Sequence, residues 1–578
     1  MARRVRTGCI TCRARKIKCD ETAGGCQNCR LRQLQCDFQA NPLHEPIQND
    51  CGQKDTRPAC QPCRQARARC SRGHPCSRCL ARDVPCVYPP GRPGDGLSLT
   101  PAASARLAAG LRKVERTHNR EAINNNNNIN ISLQHVSAFF ECIAPYQANG
   151  FLHRATLQQR LAEQTVPETL ILALCAITAR FVQGSSVSAS QLAEQAQQRL
   201  FDTDEISVSH CAAAVLLAKH AAYSGRFNTA FLLAALANRY ALKLRLYTEG
   251  TGNAIASNMW IDQEQNRRLM FACYAVDRMT ATGREELTCS RARDIMIQLP
   301  ADEYSFQHGI PCITPLPTLE GEERAESRDG VGIMGHYVLL VGIRYGILRY
   351  IENITHQDPP WQGKEYDLLL RKLARWKTNL PARLSLTESN LNQSETAKHG
   401  PLVMLHLWWD MLHCELFRLA LQTHQPDVQA LFLAAPPGWI TQTQDRCVMH
   451  ARQMGSTLSL LESCSPGCVV YDPSLAMLCY AAVKIQLLYA VSRDPLGLQG
   501  EAVHYLSVLL QVVDRLTPFF NTAAVLLDEM KWTLRQHGIG PWSESPPADA
   551  KDHPWLDRVR DMEQGYLIDI DQLLMPLL

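Results

Sequence analysis

The residues most able to do chemistry in this 578-residue chain are its 24 cysteines. Twelve of them form two groups of nearly identical spacing, one 51 residues after the other. The first group is Cys9, Cys12, Cys19, Cys26, Cys29 and Cys36, and the second is Cys60, Cys63, Cys70, Cys76, Cys79 and Cys86. Each group contains two C-x2-C-x6-C halves, separated by six residues in the first group and by five in the second. Cysteines at fixed spacing in a chain without an export signal favour metal binding over disulfides.

A C-x2-C pair is predicted to place two thiolates on one ion at the turn into a short helix. Six thiolates per group suit zinc, which takes four ligands in a tetrahedron. If two of the six sulfurs bridge, six plus two shared gives eight bonds, four for each of two ions. The two groups therefore predict two zinc ions each and four in total. A metal buffer would need no basic residues between the ligands, and a redox relay would need an isolated C-x2-C pair in a βαβ context. We therefore favour structural zinc over both alternatives.

Basic residues fill the segment between the second and third cysteine of each group. These residues are Arg13, Arg15, Lys16 and Lys18 in the first group, and Arg64, Arg67 and Arg69 in the second. Residues 1–90 hold 17 Lys+Arg and 7 Asp+Glu, a net +10, so the rest of the +4 chain sums to −6. Two Zn²⁺ ions bound by six thiolates carry a net charge of −2. With both groups loaded with zinc, residues 1–90 therefore keep a net charge of +6. A short basic helix held by metal at both ends can contact base edges and phosphates, so we predict double-stranded DNA as the partner.

Each group resembles the fungal binuclear zinc-cluster (Zn2Cys6) DNA-binding domain. The first group carries this family's C-x2-C-R-x-R-K-x-K-C-D pattern. The resemblance implies that the first and fourth cysteines of each group bridge the two ions. It also implies that Arg15, Lys16 and Arg67 read bases, in CGG-type triplets. The resemblance implies a nuclear regulator of RNA polymerase II genes, an activator of a metabolic or secondary-metabolite gene cluster.

Two clusters in one chain depart from the usual single cluster of this family. The first cluster also has Thr22–Gly25 where relatives have a proline, and the second has Ala66 at one of the two base-reading positions. The second cluster either reads a second DNA site or serves as a protein-contact module. The alternative for the whole chain is an interaction protein whose clusters do not bind specific DNA.

Composition divides the chain into six segments. The predicted domains are 1–39 and 57–90 for the two clusters, 133–537 for a large helical domain and 538–578 for the tail, with linkers at 40–56 and 91–132. Leu107, Leu111 and Val114 keep coiled-coil spacing for only about one heptad, too short for a stable coiled coil. Relatives commonly form a homodimer at this place, whereas tandem clusters would allow two-site reading within one chain.

Apolar residues recur at helical spacing from about residue 133 onward, with almost no strand-type alternation, which predicts an all-α domain. Helices are predicted at 211–246 with a bend near Gly225, and at 261–279, 331–350, 364–379, 401–423, 445–463, 474–493, 500–516 and 519–535. The apolar stretches are interrupted by charges, so no membrane span is expected.

Residues 135–420 resemble the middle homology region of fungal zinc-cluster regulators. The most specific part is Glu264-x2-Arg267-Arg268, followed by Asp277-Arg278 on the same predicted helix. Charges on a mostly buried helix must be paired with neighbours. The resemblance implies that this region restrains or licenses activation, in some members by binding a small-molecule effector.

The helical region lacks the common catalytic motifs, and we expect no enzyme activity. His406 and His413 lie seven residues apart, but Ala420 occupies the place of a third ligand, so both are interpreted as packing residues, as is His220.

Residues 540–578 hold eight Asp+Glu and three Lys+Arg, a net −5, among large apolar residues. This composition is typical of activation segments that fold on a transcription coactivator. The alternative is a last helix that docks on the helical domain.

Overall fold

The computed structural model divides the chain into two compact units, residues 1–111 and 112–578. In the first unit it describes residues 19, 26–32, 61–66, 79 and 82. In the second it describes 133–182, 188–202, 206–249, 257–317, 328–356, 358–393, 396–421, 430–492 and 501–539.

Two short helices are described in the first unit. Helix α1 comprises Gln27–Arg30 and helix α2 comprises Gln61–Gln65. Both helices coincide with a C-x2-C pair, because α1 follows directly on Cys26 and α2 contains Cys63. Helices of one turn are not stable alone, so their cysteines must be held by something besides the helix itself.

The second unit is built from helices. Residues 133–138 are helical and lead into a π-helical turn, Phe139–Ile143. The longer helices that follow are α3 Arg154–Ala162, α4 Glu168–Thr178, α5 Ala189–Phe201, α6 Val208–Tyr223, α7 Phe227–Lys243, α8 Ser257–Ala281, α9 Glu303–His308, α10 Ile333–Glu352, α11 Lys364–Thr378, α12 Glu388–Gln393, α13 Thr396–Phe417, α14 Trp439–Cys464, α15 Ser474–Ser492, α16 Glu501–Asp514 and α17 Asn521–Gln536. Within the described residues β-pairing is limited to two isolated bridges, Thr248 with Met296 and Ala301 with Val331.

One continuous apolar core runs through this unit, from Val136 to Leu534. Helix α6 is buried almost all round, as its Ala- and Leu-rich sequence requires. It packs on α4, α5 and α7, while α13 packs on α10 and α14. Helix α11 buries only one stripe, Tyr366, Leu369, Leu373 and Trp376, and therefore covers the core from one side.

The predicted bend near Gly225 is confirmed, because α6 ends at Tyr223 and α7 begins at Phe227. Gly225 has φ of 71°, a left-handed conformation that glycine adopts without steric cost. The other predicted helices are also present. Their ends lie within a few residues of the expected ones in all but two: α13 spans Thr396–Phe417 rather than 401–423, and α14 begins at Trp439 rather than 445. The predicted fold class, small N-terminal cluster domains followed by a large all-α domain, is therefore confirmed.

Candidate zinc and DNA-binding site

In the first cluster, the second C-x2-C pair turns directly into helix α1. The backbone amides of Cys29 and Arg30 donate to the Cys26 carbonyl at 3.1 and 3.0 Å. Cys26 is 0% exposed and Cys29 is 1% exposed, and Cys19 packs against both. The predicted turn of a C-x2-C pair into a short helix is confirmed here. Three cysteines from two separate halves of the motif thus come together.

In the second cluster, Cys63 and Cys79 are buried while the arginines near them are exposed. Cys63 lies inside α2, and Arg64, the next residue, is exposed to solvent. The backbone amide of Arg82 donates to the Cys79 carbonyl at 3.2 Å, and Arg82 is also exposed. Sulfur therefore faces inward and positive charge outward at both described parts of this cluster.

The other predicted site residues lie outside the described residues. Of the twelve predicted ligands these are Cys9, Cys12, Cys36, Cys60, Cys70, Cys76 and Cys86. Of the predicted DNA-contact residues they are Arg13, Arg15, Lys16, Lys18, Arg67 and Arg69. In the described part of the chain no group of three or more His, Cys, Asp or Glu is arranged to hold a metal ion.

The described cysteines have the chemistry that zinc requires. Their thiols are soft ligands, and among the residues described in this unit the buried cluster of Cys26 and Cys29 takes in Cys19 and no ordinary apolar side chain. A cysteine at the start of a helix is also favoured as thiolate, because the helix N-terminus attracts negative charge. Cys19, Cys26, Cys29, Cys63 and Cys79 would therefore contribute to the zinc ligands of the two clusters.

The motif of the helical unit forms a buried charge cluster on α8. The Glu264 side chain is fully buried and accepts from Arg267 and, at 2.8 Å, from Arg268 Nε. Glu264 also accepts from the Ala301 amide at 2.9 Å. Arg268 Nη2 donates to the Ala301 carbonyl at 2.6 Å, and its guanidinium lies 4.1 Å from the centre of the Phe306 ring. The cluster thus joins α8 to the segment that precedes α9.

A second buried pair lies three turns further along α8. Arg278 donates to Asp277 at 2.7 Å and to the Ser290 carbonyl at 2.6 Å, and its guanidinium packs between the rings of Tyr274 and Tyr345. Asp277 accepts from the Cys289 amide at 2.9 Å. The prediction that these charges are paired is confirmed, and Arg268 and Arg278 also hold the backbone of neighbouring loops.

The histidines of α13 belong to a polar cluster with α11 and α14. His406 lies 2.8 Å from both Lys377 Nζ and the Leu384 carbonyl, while His413 Nδ1 donates to the Trp409 carbonyl at 2.9 Å. Burial is the main reason that the pKa of His406 falls to about 4 and that of His413 to about 3. The predicted packing role of both residues is confirmed by these contacts.

His413 also stacks on His450 of α14, with ring centres 4.1 Å apart and planes at 12°. His450 in turn hydrogen-bonds Asp410 at 2.8 Å. A ring nitrogen binds a metal in its own ring plane at about 2.0–2.1 Å, and two stacked planes do not share such a point. This pair is therefore not arranged as a zinc site.

Sequence analysis did not identify the buried network of Lys219, Gln147 and Asp472. Lys219 Nζ donates to Gln147 Oε1 at 2.8 Å, and Gln147 Nε2 donates to Asp472 Oδ1 at 3.0 Å. Burial lowers the pKa of Lys219 to about 7 and raises the pKa of Asp472. The sequence feature that could have revealed this network is the lysine inside the apolar run of α6, because a buried lysine must have a polar partner.

His220, the residue after Lys219, is buried as predicted. Its pKa falls to about 4 because of burial and the nearby Arg180.

Comparison with known proteins supports the division into these two parts. Residues 7–44 and 58–94 match the model of the fungal Zn(2)-Cys(6) binuclear cluster domain. Residues 136–321 match the model of the fungal specific transcription factor domain. The resemblances found from the cysteine spacing and from the α8 motif are therefore confirmed for these residues.

Individual relatives are distant. The chain is 22% identical over 380 residues to the Zn(2)-C6 fungal-type transcription factor FTF1c of Fusarium oxysporum f. sp. lycopersici, covering 60% of this chain and 40% of that protein. It is 25% identical over 310 residues to an uncharacterized transcriptional regulatory protein of Schizosaccharomyces pombe, covering 48% of this chain and 31% of the relative. A second such protein of that yeast is 22% identical over 437 residues, covering 68% and 51%. The chain thus spans only about a third to a half of the length of these relatives.

Among the described helices, none combines the length and the apolar character needed to cross a membrane. The predicted domain limits, the individual site residues and the count of four zinc ions stay predictions at this point.

Proposed function

We propose that this chain is a nuclear, zinc-dependent regulator of RNA polymerase II transcription that binds specific DNA through its N-terminal clusters. The observation that carries this proposal is the pair of zinc-cluster matches, 7–44 and 58–94, each with a basic segment between its second and third cysteines. The exposure of Arg64 beside buried Cys63 supports this proposal, because a helix that contacts DNA must present its basic side chains outward from the metal core.

In this proposal the twelve cysteines hold four zinc ions, two in each cluster. The metal fixes the direction of each short basic helix, which is too short to persist alone. Arg15, Lys16 and Arg67 contact base edges in CGG-type sites, and Arg13, Lys18, Arg64 and Arg69 contact phosphates. Arginine and lysine suit this role because they donate to the O6 and N7 acceptors of guanine in the major groove.

In this proposal the helical unit regulates the activity of the DNA-bound protein, and the acidic tail recruits a coactivator. Support for the tail comes from its net charge of −5 over 540–578 together with its large apolar residues. Support for the helical unit comes from its match to the fungal specific transcription factor domain.

The test compares two triple variants of the full chain with the wild type on DNA sites selected from a random pool. The first variant is Arg15→Ala, Lys16→Ala and Arg67→Ala. The second, Arg30→Ala, Arg32→Ala and Arg82→Ala, removes the same charge from exposed positions outside the proposed base-reading segments. Each base contact contributes about 1–3 kcal/mol of discrimination, so the first variant should lose about 100-fold or more in its preference for the selected site.

The matched variant should weaken binding to the selected and to unrelated DNA by the same factor, because phosphate contacts carry no sequence information. Zinc content, measured on both variants, should equal that of the wild type. If the first variant keeps the full preference for the selected site, these residues do not read bases. If the wild type selects no site at all, the clusters serve protein contact instead.

A further inference from the structure

A small cavity lies inside the helical unit where four distant parts of the chain meet. Its volume is about 10 Å³, and its walls come from residues 145–147, from α10, from α13 and from the turn before α15. Its apolar walls come from Pro145, Ile333, Pro401, Met404 and Leu405, and its lining residues with polar groups are Tyr146, Gln147, Tyr337, Trp408 and Asp472. A cavity of this size holds about one water-sized group.

Two buried polar atoms at this cavity have complementary hydrogen-bonding needs. Trp408 is 2% exposed and Asp472 is 1% exposed. Within the described part of the chain, nothing accepts from Trp408 Nε1 and nothing donates to Asp472 Oδ2. Buried polar groups are nearly always hydrogen-bonded, so a donor and an acceptor left over beside one cavity point to a bound group.

The surroundings of Asp472 restrict the chemistry of that group. Its other oxygen, Oδ1, already accepts from Gln147 Nε2 at 3.0 Å and from Ser474 at 2.9 Å (amide) and 2.6 Å (hydroxyl). Lys219 Nζ donates to Gln147 Oε1 at 2.8 Å, so the polar contacts of this oxygen continue to a buried amine. A cation could not accept from the Trp408 N–H, and an anion would be repelled by the carboxylate.

A hydroxyl group meets both needs at once. Its oxygen accepts from the indole N–H, and its hydrogen is donated to the carboxylate.

We propose that this cavity is a binding site for one hydroxyl group, which bridges Trp408 Nε1 and Asp472 Oδ2. The hydroxyl is that of an internal water molecule, the group that a cavity of about 10 Å³ can hold. The bound water joins α13 to the turn before α15, two elements that are separated by α14 in the chain.

The test uses the deuterated full chain with ¹⁵N-labelled tryptophan and measures cross-peaks from the indole N–H protons to water. Trp408→Phe identifies the Trp408 resonance by its disappearance. If this variant does not fold, Tyr337→Phe identifies the same resonance by its shift, because the two rings lie 6.3 Å apart in the wild type. Trp376 provides the internal control, since it is fully buried but already donates to the His336 carbonyl at 3.1 Å.

A water cross-peak at Trp408 and none at Trp376 is the expected result. Tyr337→Phe should keep the Trp408 cross-peak, which excludes relay through the tyrosine hydroxyl. If Trp408 shows no water cross-peak, or the same one as Trp376, the proposed site does not exist.

Discussion

The two units of this chain use arginine in opposite ways. In the N-terminal unit, Arg64 is exposed beside a buried cysteine. In the helical unit, Arg268 is almost completely buried and donates to Glu264, to the Gly150 carbonyl and to the Ala301 carbonyl. The N–H donors of an exposed arginine are accessible to a partner, whereas those of a buried arginine donate to groups within the fold. The same residue type is therefore open to a partner in one unit and part of the internal structure in the other.

The source of stability differs in the same way. Buried residues of the N-terminal unit, as far as it is described, are cysteines. The helical unit instead has a continuous apolar core that reaches from Val136 to Leu534. We infer that metal holds the first unit together, whereas apolar burial holds the second.

Removal of zinc should therefore have the largest effect, and only on the first unit. Structural zinc contributes about 10–16 kcal/mol of binding free energy in comparable small sites, so a strong chelator should unfold the clusters completely. The helical signal at 222 nm and the unfolding temperature of the second unit should stay nearly constant. Circular dichroism with and without chelator measures both. A single cooperative loss of all helical signal on chelation would show that the units do not stabilise themselves separately.

The buried charges of α8 should matter most within the second unit. Glu264→Ala removes the shared acceptor of Arg267, Arg268 and the Ala301 amide. The two buried guanidinium groups would keep only Glu249, 2.6 Å from Arg267, and the partly exposed Glu303, 3.7 Å from Arg268. Loss of one partner of a buried pair costs about 3–5 kcal/mol, so denaturant unfolding should show a decrease of this size. Zinc content should not change.

Glu168→Ala is the matched control for that variant, because Glu168 forms an ion pair with Arg199 at 2.7 Å in which both side chains are about half exposed. Such a pair contributes about 0–1 kcal/mol. Equal destabilisation by the two variants would contradict the assignment of a structural role to the α8 cluster.

Lys219 should give the second unit a specific pH dependence. Its folded pKa is about 7 and its ordinary value is 10.5. Between these values the unfolded chain binds the proton and the folded chain does not, so the free energy of unfolding should rise with pH. One proton corresponds to at most about 1.4 kcal/mol per pH unit.

Lys219→Met should remove this rise, and the control Lys243→Met, at an exposed position of α7, should keep it. Denaturant titrations at several pH values between 7.5 and 9.5 compare the slopes. Identical slopes for the wild type and Lys219→Met would mean that the lysine does not titrate in this range.

Sequence reasoning succeeded where the relevant contacts are local. Cysteine spacing predicted the turn of Cys26–Cys29 into α1, and the apolar periodicity together with Gly225 predicted the α6–α7 bend. Pairing of the α8 charges was also predictable, because Glu264, Arg267 and Arg268 lie within one turn of a helix.

Contacts between distant segments were not predictable in this way. Gln147 and Asp472 are separated by 325 residues in the sequence. They meet only because the helices that lie between them in the chain pack together. The stacking of His413 on His450 likewise depends on how α13 and α14 are aligned, which hydropathy does not determine.

DNA binding by the full chain before and after zinc removal tests the central claim most directly. Fluorescence anisotropy would compare a duplex carrying CGG triplets, taken from the selected sites, with a scrambled duplex of the same composition. We predict that the zinc-loaded chain binds the selected duplex at least about 10³-fold more tightly, that a chelator abolishes this difference, and that added zinc restores it. Equal affinity for the two duplexes, or a preference that persists after the zinc has been removed, would contradict the account.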